Sequence, residues 1–233
     1  MTIRDIAIAF GFTVDEASAK KAEGAVTKLK SFATKALATI GIGISLTQMN
    51  KLVEEWYSVN KVLANVNTQL KDQSAVQNRI TEAANACRIT YAEMCGYATS
   101  LVKTGSRFFS TVEDATDFLE LANKAFKVSG ASEAQMNSLN NVLKNTFQTG
   151  KLSAGGFNTI MQQSPDIIQY LADSLGVSMQ QVKALGLSGS ITAKQLKNAF
   201  TQSAEGIESA YGKLRLTVSD ALRIIRNEFG TWL

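Results

Sequence analysis

The sequence predicts an all-α protein: a multi-helix bundle of short antiparallel helices, preceded by one strand-like N-terminal arm. Three observations predict it. The 233 residues include a single proline, so almost nothing in the chain forbids helix. Hydrophobic residues make up 45% but aromatics only 8%, a balance suited to Ala- and Leu-faced helices. Apolar residues also recur at the 3.6-residue period through most of the chain. The net charge of +4 is small for this length, and the basic residues are dispersed without aromatic interleaving, so no specific nucleic-acid surface is predicted.

Residues 3–14 are the exception to the helical pattern. Ile6, Ile8, Phe10, Phe12 and Val14 alternate with Ala7, Ala9, Gly11 and Thr13, the period of a half-buried strand. With no second strand to pair with, this arm (1–14) either adds to another copy or another protein, or packs on the helices. No basic segment precedes it and no small-residue cleavage site closes it, so it does not read as a signal peptide. Asp15 then caps a helix running to Ser31, with Ala19, Ala22, Val26 and Leu29 inward. Residues 36–50 carry no charge. They are short of the roughly 20 residues that span a bilayer. They read as a buried helix or, because Gly41 and Gly43 permit close helix approach, as a membrane-active segment. Helix continues to Val66, with Val53, Trp56, Tyr57, Leu63 and Val66 as core candidates.

A break at 72–74 precedes a helix ending near Arg88, and Thr90 caps another that ends at Gly105. Thr111, with Asp114 three residues on, opens a helix whose stripe is Ala115, Phe118, Leu119, Ala122, Ala125 and Phe126, closed by Gly130. Ser132 and Gln135 form a capping box for the next, with Met136, Leu139, Val142, Leu143 and Phe147 inward. Short loops on both sides imply antiparallel neighbours, so residues 15–148 are expected to form a helical frame.

Residues 149–203 form a more punctuated stretch. It opens and closes with nearly the same phrase, Gly150-Lys151-Leu152-Ser153-Ala154 and Gly189-Ser190-Ile191-Thr192-Ala193. In each, glycine suits a left-handed turn, and the hydroxyl residue three places on is set to accept from the next helix's free N–H groups. Thr192 with Gln195 completes a capping box, and Ile191–Leu196 and Leu152–Phe157 have hydrophobic-staple spacing. The first copy has Gly155-Gly156 where the reciprocal residue would stand, so its helix is expected to start less firmly. Between the phrases, Pro165 sits at a helix start with Asp166 beside it. The stripe Ile167, Ile168, Leu171, Ala172 and Leu175 follows, closed by Gly176 and Val177, and Ser178 with Gln181 caps the next helix. Four short helices are predicted, at 154–163, 165–175, 179–185 and 193–203.

The final stretch, 204–233, carries Ile207, Ala210, Tyr211, Leu214, Val218, Ala221, Leu222, Ile225 and Phe229 at helical spacing. It reads as one long amphipathic helix that stops in mid-pattern at Trp232 and Leu233. The chain is therefore expected to be a fragment of a longer protein, with Phe229 and Trp232 exposed or covered by another copy.

Catalysis has little support. With no histidine, Ser-His-Asp and Cys-His arrangements and histidine-based metal sites are excluded. Two cysteines, Cys87 and Cys95, make a zinc site improbable and are expected to be buried free thiols. The pairs Ser18/Lys21, Ser58/Lys61 and Ser100/Lys103 match the Ser-x-x-Lys spacing, but none carries the companion motifs. Gly41-Ile42-Gly43 lacks the Lys-Ser/Thr continuation of a phosphate loop. No catalytic residue, cofactor or metal is assigned.

The stretch from Gly150 to about Phe200 resembles the N-terminal domain of bacteriophage and prophage tail tape measure proteins. Gly150, Leu152, Ser153, Phe157, Pro165, Leu171, Leu175, Gly176, Val177, Ser178, Leu185, Gly189, Ile191, Thr192 and Ala193 carry the resemblance, and Gly155-Gly156 departs from it. Those motif residues are structural. The resemblance implies a non-enzymatic protein of the virion tail lumen, met in the host cytoplasm during assembly. Such a protein sets tail length, templates the tail tube and takes part in DNA delivery. It also implies partners: tail assembly chaperones, tail tube subunits, tail tip proteins and further copies of itself, with membrane contact by the full-length protein left open. The alternatives are a membrane-active protein using residues 36–50, and a helical adaptor using the 207–229 stripe.

Overall fold

A computed structural model describes residues 46–66 and 72–230, which contain eleven helices and no strand. The elements are α1 (Leu46–Val66), α2 (Gln73–Cys87), α3 (Tyr91–Thr104), α4 (Val112–Val128), α5 (Glu133–Thr149), α6 (Ala154–Gln163), α7 (Asp166–Leu175), α8 (Met179–Leu187), α9 (Ala193–Gln202), α10 (Ala204–Gly212) and α11 (Val218–Gly230). The fold is all-α. The strand-like reading of 3–14, the helix from Asp15 and most of the uncharged 36–50 segment lie outside the described residues, as do Trp232 and the side chain of Phe229.

Local chemistry sets most helix limits. Asp72 Oδ1 accepts from the N–H groups of Ser74 and Ala75, at 3.0 and 3.1 Å, and starts α2. Thr90–Glu93 and Ser132–Gln135 are complete capping boxes at α3 and α5. Gly130 and Gly150 take φ of 78° and 82° at the ends of α4 and α5. The end of α2 is different. Arg88, a non-glycine residue, adopts φ 57° there, a conformation that costs an L-residue about 1 kcal/mol or more.

Helix α4 is the hub, packing against α2, α3, α5, α9 and α10. Its buried face combines Val112, Ala115, Phe118, Leu119, Ala122, Ala125 and Phe126. Phe118 meets Phe147 of α5 edge-on at 5.1 Å between ring centroids, and Phe200 of α9 at 5.6 Å. Phe109 fills the corner before α4, at 4.7 Å from Phe147. Buried apolar residues from Leu63 to Ile207 make one continuous core. Within α1, Leu63 is fully buried and Trp56 stacks at 4.0 Å on Tyr91, but Tyr57 is 45% exposed and is not a core residue.

One polar pair sits inside this core. Asn123 of α4 and Asn140 of α5 are both buried, and Asn140 Nδ2 donates to Asn123 Oδ1 at 2.8 Å. Each amide also donates to the carbonyl four residues back, Leu119 and Met136, so neither donor group is stranded.

The C-terminal stretch departs from the sequence reading. Residues 204–230 form two helices, separated at 213–217, rather than one. No glycine or proline occurs in that gap, whose residues are Lys213, Leu214, Arg215, Leu216 and Thr217. Gly212 is the last residue of α10, and tertiary contacts hold the break that follows it. Arg88 donates to the Leu214 and Arg215 carbonyls, each at 2.9 Å, withdrawing them from the helical ladder. Thr217 and Asp220 then restart the helix by reciprocal side chain–backbone bonds at 3.1 and 3.2 Å.

Candidate functional site

The repeated phrases meet in space. Lys151 and Thr192 form an isolated antiparallel bridge, in which Leu152 N–H donates to the Ile191 carbonyl at 2.8 Å and Ala193 N–H donates to that of Gly150 at 2.9 Å. The two near-identical stretches thus clasp each other and close α6–α8 into a loop of three short helices, with α9 following the clasp. Leu152 and Ile191 are buried at the clasp, 0% and 1% exposed. The flanking glycines, Gly150 and Gly189, take φ of 82° and 64°. Each phrase, having paired, launches a helix: Ser153 Oγ accepts from Gly156 N–H at 3.0 Å, and Thr192 forms a capping box with Gln195.

The remaining motif residues organise the interior of the loop. Pro165 has helical φ and ψ just ahead of α7, which ends at Gly176 with φ 65°. Val177 packs half-buried against the core, and Ser178 forms a capping box with Gln181 at the start of α8. Helix α7 pairs with α9, and α8 packs against both α6 and α7.

Two glycines have roles the sequence did not reveal. A Cβ on Gly186 of α8 would stand 2.3 Å from the Phe157 ring, so α8 reaches α6 only because this residue has no side chain. A Cβ on Gly156 would meet Val142 at 3.0 Å and Leu152 at 3.1 Å, whereas Gly155 faces open space. Gly156 is therefore a packing residue, not merely a weak helix start.

Polar contacts fix α9 and the loop to the hub. Lys197 of α9 donates to the Phe108 carbonyl at 2.8 Å and to Asp114 at 3.0 Å, and its ammonium lies 4.3 Å from the Phe109 ring centroid. Ser164, fully buried before α7, donates to Ser129 Oγ at 2.8 Å, and Ser129 donates to Asp166 at 2.8 Å. This hydroxyl chain ties the start of α7 to the end of α4.

Little here resembles reaction chemistry. Burial pushes the Cys87 thiol well above the usual range and the Cys95 thiol up to about 12, so neither is a nucleophile near neutral pH. A cleft of about 350 Å³ between α3 and α5 is lined by Glu93, Tyr97, Ser100, Asn141 and Lys144, but its carboxylate, Glu93, is engaged in capping α3. Glu120 sits between Arg79 at 2.6 Å and Lys124 at 2.8 Å, a charged girdle joining α2 to α4. Burial alone would raise its carboxyl, but hydrogen bonds from Lys124 and Arg79 hold it below the ordinary value. Among the described residues no three carboxylate, thiol or imidazole groups converge as metal ligands, and no helix is long and apolar enough to cross a membrane.

A family model of tape measure proteins matches residues 47–233, well over half the chain. This chain belongs to the tape measure protein family. The match begins one residue into α1 and runs through α11, so the family pattern includes the frame helices and the C-terminal pair as well as the clasped loop. No curated protein and no solved structure matches the chain. Family membership makes it a structural protein of the phage tail.

Proposed function

We propose that this chain is the folded N-terminal head of a tape measure protein that fixes tail length, templates tail-tube assembly and later takes part in DNA delivery. The observation that carries this reading is the family match across 47–233, which contains the whole clasped loop. The measuring segment itself would be extended helix elsewhere in the protein, gaining about 1.5 Å of length per residue. The head contributes a rigid body instead: the clasped loop α6–α8 with α9 behind it, resting on α4 and α5. It has no need of a reaction, cofactor or metal. The structural motif Gly150, Leu152, Ser153, Pro165, Gly176, Val177, Ser178, Gly189, Ile191 and Thr192 serves to keep that body's shape.

Tail assembly chaperones, tube subunits, tip proteins and further copies in the tail lumen are the partners this role requires, first in the host cytoplasm and then in the virion. The test is a length comparison. The native coding frame containing this chain, converted at about 1.5 Å per residue of helical ruler, should match the tail length in electron micrographs. In-frame deletions from the ruler should shorten the tail in proportion. Tails of unchanged length after such deletions would overturn the proposal.

A further inference from the structure

The C-terminal pair of helices carries a conflict between sequence and fold. From Ile207 to Ile225 the apolar spacing runs without interruption through the gap at 213–217, and the gap residues Lys213, Leu214, Arg215 and Leu216 are good helix formers. The local signals for a break are Gly212, the last residue of α10, and the Thr217–Asp220 cap that starts α11. Lys213 itself keeps right-handed helical φ and ψ, −83° and −13°. The bend is held from outside, and chiefly by one residue. Arg88 takes the Leu214 and Arg215 carbonyls, and its guanidinium lies 4.8 Å from the Tyr211 ring centroid.

Beyond the bend, α11 is held by polar anchors. Among the described side chains of α11, Asp220 and Asn227 are the buried ones, at 6% and 2% exposure, while Val218 is 56% exposed. Lys127 donates to Asp220 at 2.9 Å, and Arg223 donates to Glu133 at 2.5 Å. Asn227 accepts from Tyr91 N–H at 2.6 Å and donates to the Ile89 carbonyl at 2.8 Å, seating α11 on the α2–α3 corner. A hydrogen bond contributes little net when both of its partners pass to water together. A helix docked through such bonds is far easier to release than one docked through a hydrophobic face.

We infer that residues 204–230 are a two-state element, bent and docked when Arg88 holds the gap carbonyls, and one continuous helix when it does not. In the straight form the Leu214 and Arg215 carbonyls accept from N–H groups four residues on, and the bonds of the Thr217–Asp220 cap are exchanged for helical ones. The merged helix is about 40 Å long at 1.5 Å per residue. Its apolar residues then share a single stripe, and the direction in which the chain leaves the head changes. Local preference for helix and tertiary preference for the bend oppose each other here, which is how a bistable segment is built.

The test is nuclear magnetic resonance of the full chain, reading the 13Cα secondary shifts of Leu214, Arg215, Leu216 and Thr217. Two variants push the equilibrium by independent routes. Arg88→Ala removes the clamp. Gly212→Ala raises helix preference at the end of α10, where an added Cβ meets nothing within 4 Å. Each should move all four shifts toward helical values, and the double variant should move them further. Should Arg88→Ala fail to fold, Gly212→Ala decides alone. Gap shifts that stay at coil values in a folded Gly212→Ala protein would overturn the inference. So would a gap that becomes disordered rather than helical when Arg88 is removed.

Discussion

Gly186 of α8 and Phe157 of α6 share one volume: the place a Cβ would occupy on Gly186 lies 2.3 Å from the ring of Phe157, which is itself fully buried. The contact lets two short helices approach closely inside the clasped loop. An alanine in mid-helix normally gains about 1 kcal/mol over glycine, so propensity alone favours Gly186→Ala. Overpacking typically costs about 1–3 kcal/mol and wins here, because a ring is not the flexible end of a side chain. Gly186→Ala should lower the urea midpoint, and pairing it with Phe157→Leu should recover part of the loss. A neutral or stabilising Gly186→Ala would mean the two helices separate freely.

The clasp predicts a sign difference among glycines. Gly150 and Gly189 both lie in the left-handed region, so alanine at either should cost about 1–2 kcal/mol. Gly155 lies in α6 with open space around it, and Gly155→Ala should stabilise by up to about 1 kcal/mol. Thermal melts of the three variants give the comparison directly. Equal losses at all three positions would remove the conformational explanation.

Much of this geometry was legible in the sequence because it depends on neighbours a few residues apart. The spacing of Thr192 and Gln195, or of Ser178 and Gln181, is enough to write a capping box. The stripe of α4 is likewise complete in its own residues. What could not be read depends on distant partners. The two like phrases were visible, but their pairing through Leu152 and Ile191 is a contact across forty residues of chain. Gly186 lies just past the predicted 179–185 helix, and no local spacing pairs it with Phe157. The 207–229 stripe correctly indicated helix, yet the bend comes from Arg88, more than a hundred residues upstream.

Asn123 and Asn140 give a prediction in which one change is worse than two. Replacing Asn123 with leucine leaves one of the two buried Asn140 amide N–H groups without an acceptor, the other keeping the Met136 carbonyl, a loss of about 1–3 kcal/mol. Replacing both with leucine removes the polar demand altogether. The double variant should be more stable than the Asn123→Leu single variant, as measured by chemical denaturation. If the single change is harmless, the pair does not hold α4 and α5 in register.

The two thiols should be silent in the folded protein. Cys87 and Cys95 are fully buried, and burial pushes both well above the ordinary thiol value, Cys95 to about 12. Thiolate is the reactive form, so a chromogenic disulfide reagent at neutral pH should react only as fast as the chain opens. In urea above the midpoint, both should react at once. Rapid modification of either thiol under native conditions would contradict the packing around the α2–α3 corner.

Acid should unfold the protein through two named carboxylates. Burial alone would raise the Asp220 carboxyl, but hydrogen bonds from Lys127 and Thr217 hold it below its ordinary value. Glu120 is held low by Lys124 and Arg79. A carboxyl with a depressed folded pKa binds fewer protons folded than unfolded, so stability rises with pH across that interval. The contribution of each is fully present above the ordinary values of 3.8 for Asp220 and 4.5 for Glu120, and is lost as pH falls through the folded values beneath them. The urea midpoint should fall steeply over that acid range and stay level above it. Asp220→Asn should be less stable at neutral pH, because it gives up the Lys127 pair, and should show a shallower acid limb. Since Asp220 also anchors α11, Arg88→Ala should flatten the same limb to a smaller degree. An acid limb unchanged by Asp220→Asn would assign the acid sensitivity to Glu120 and the α2–α4 girdle instead.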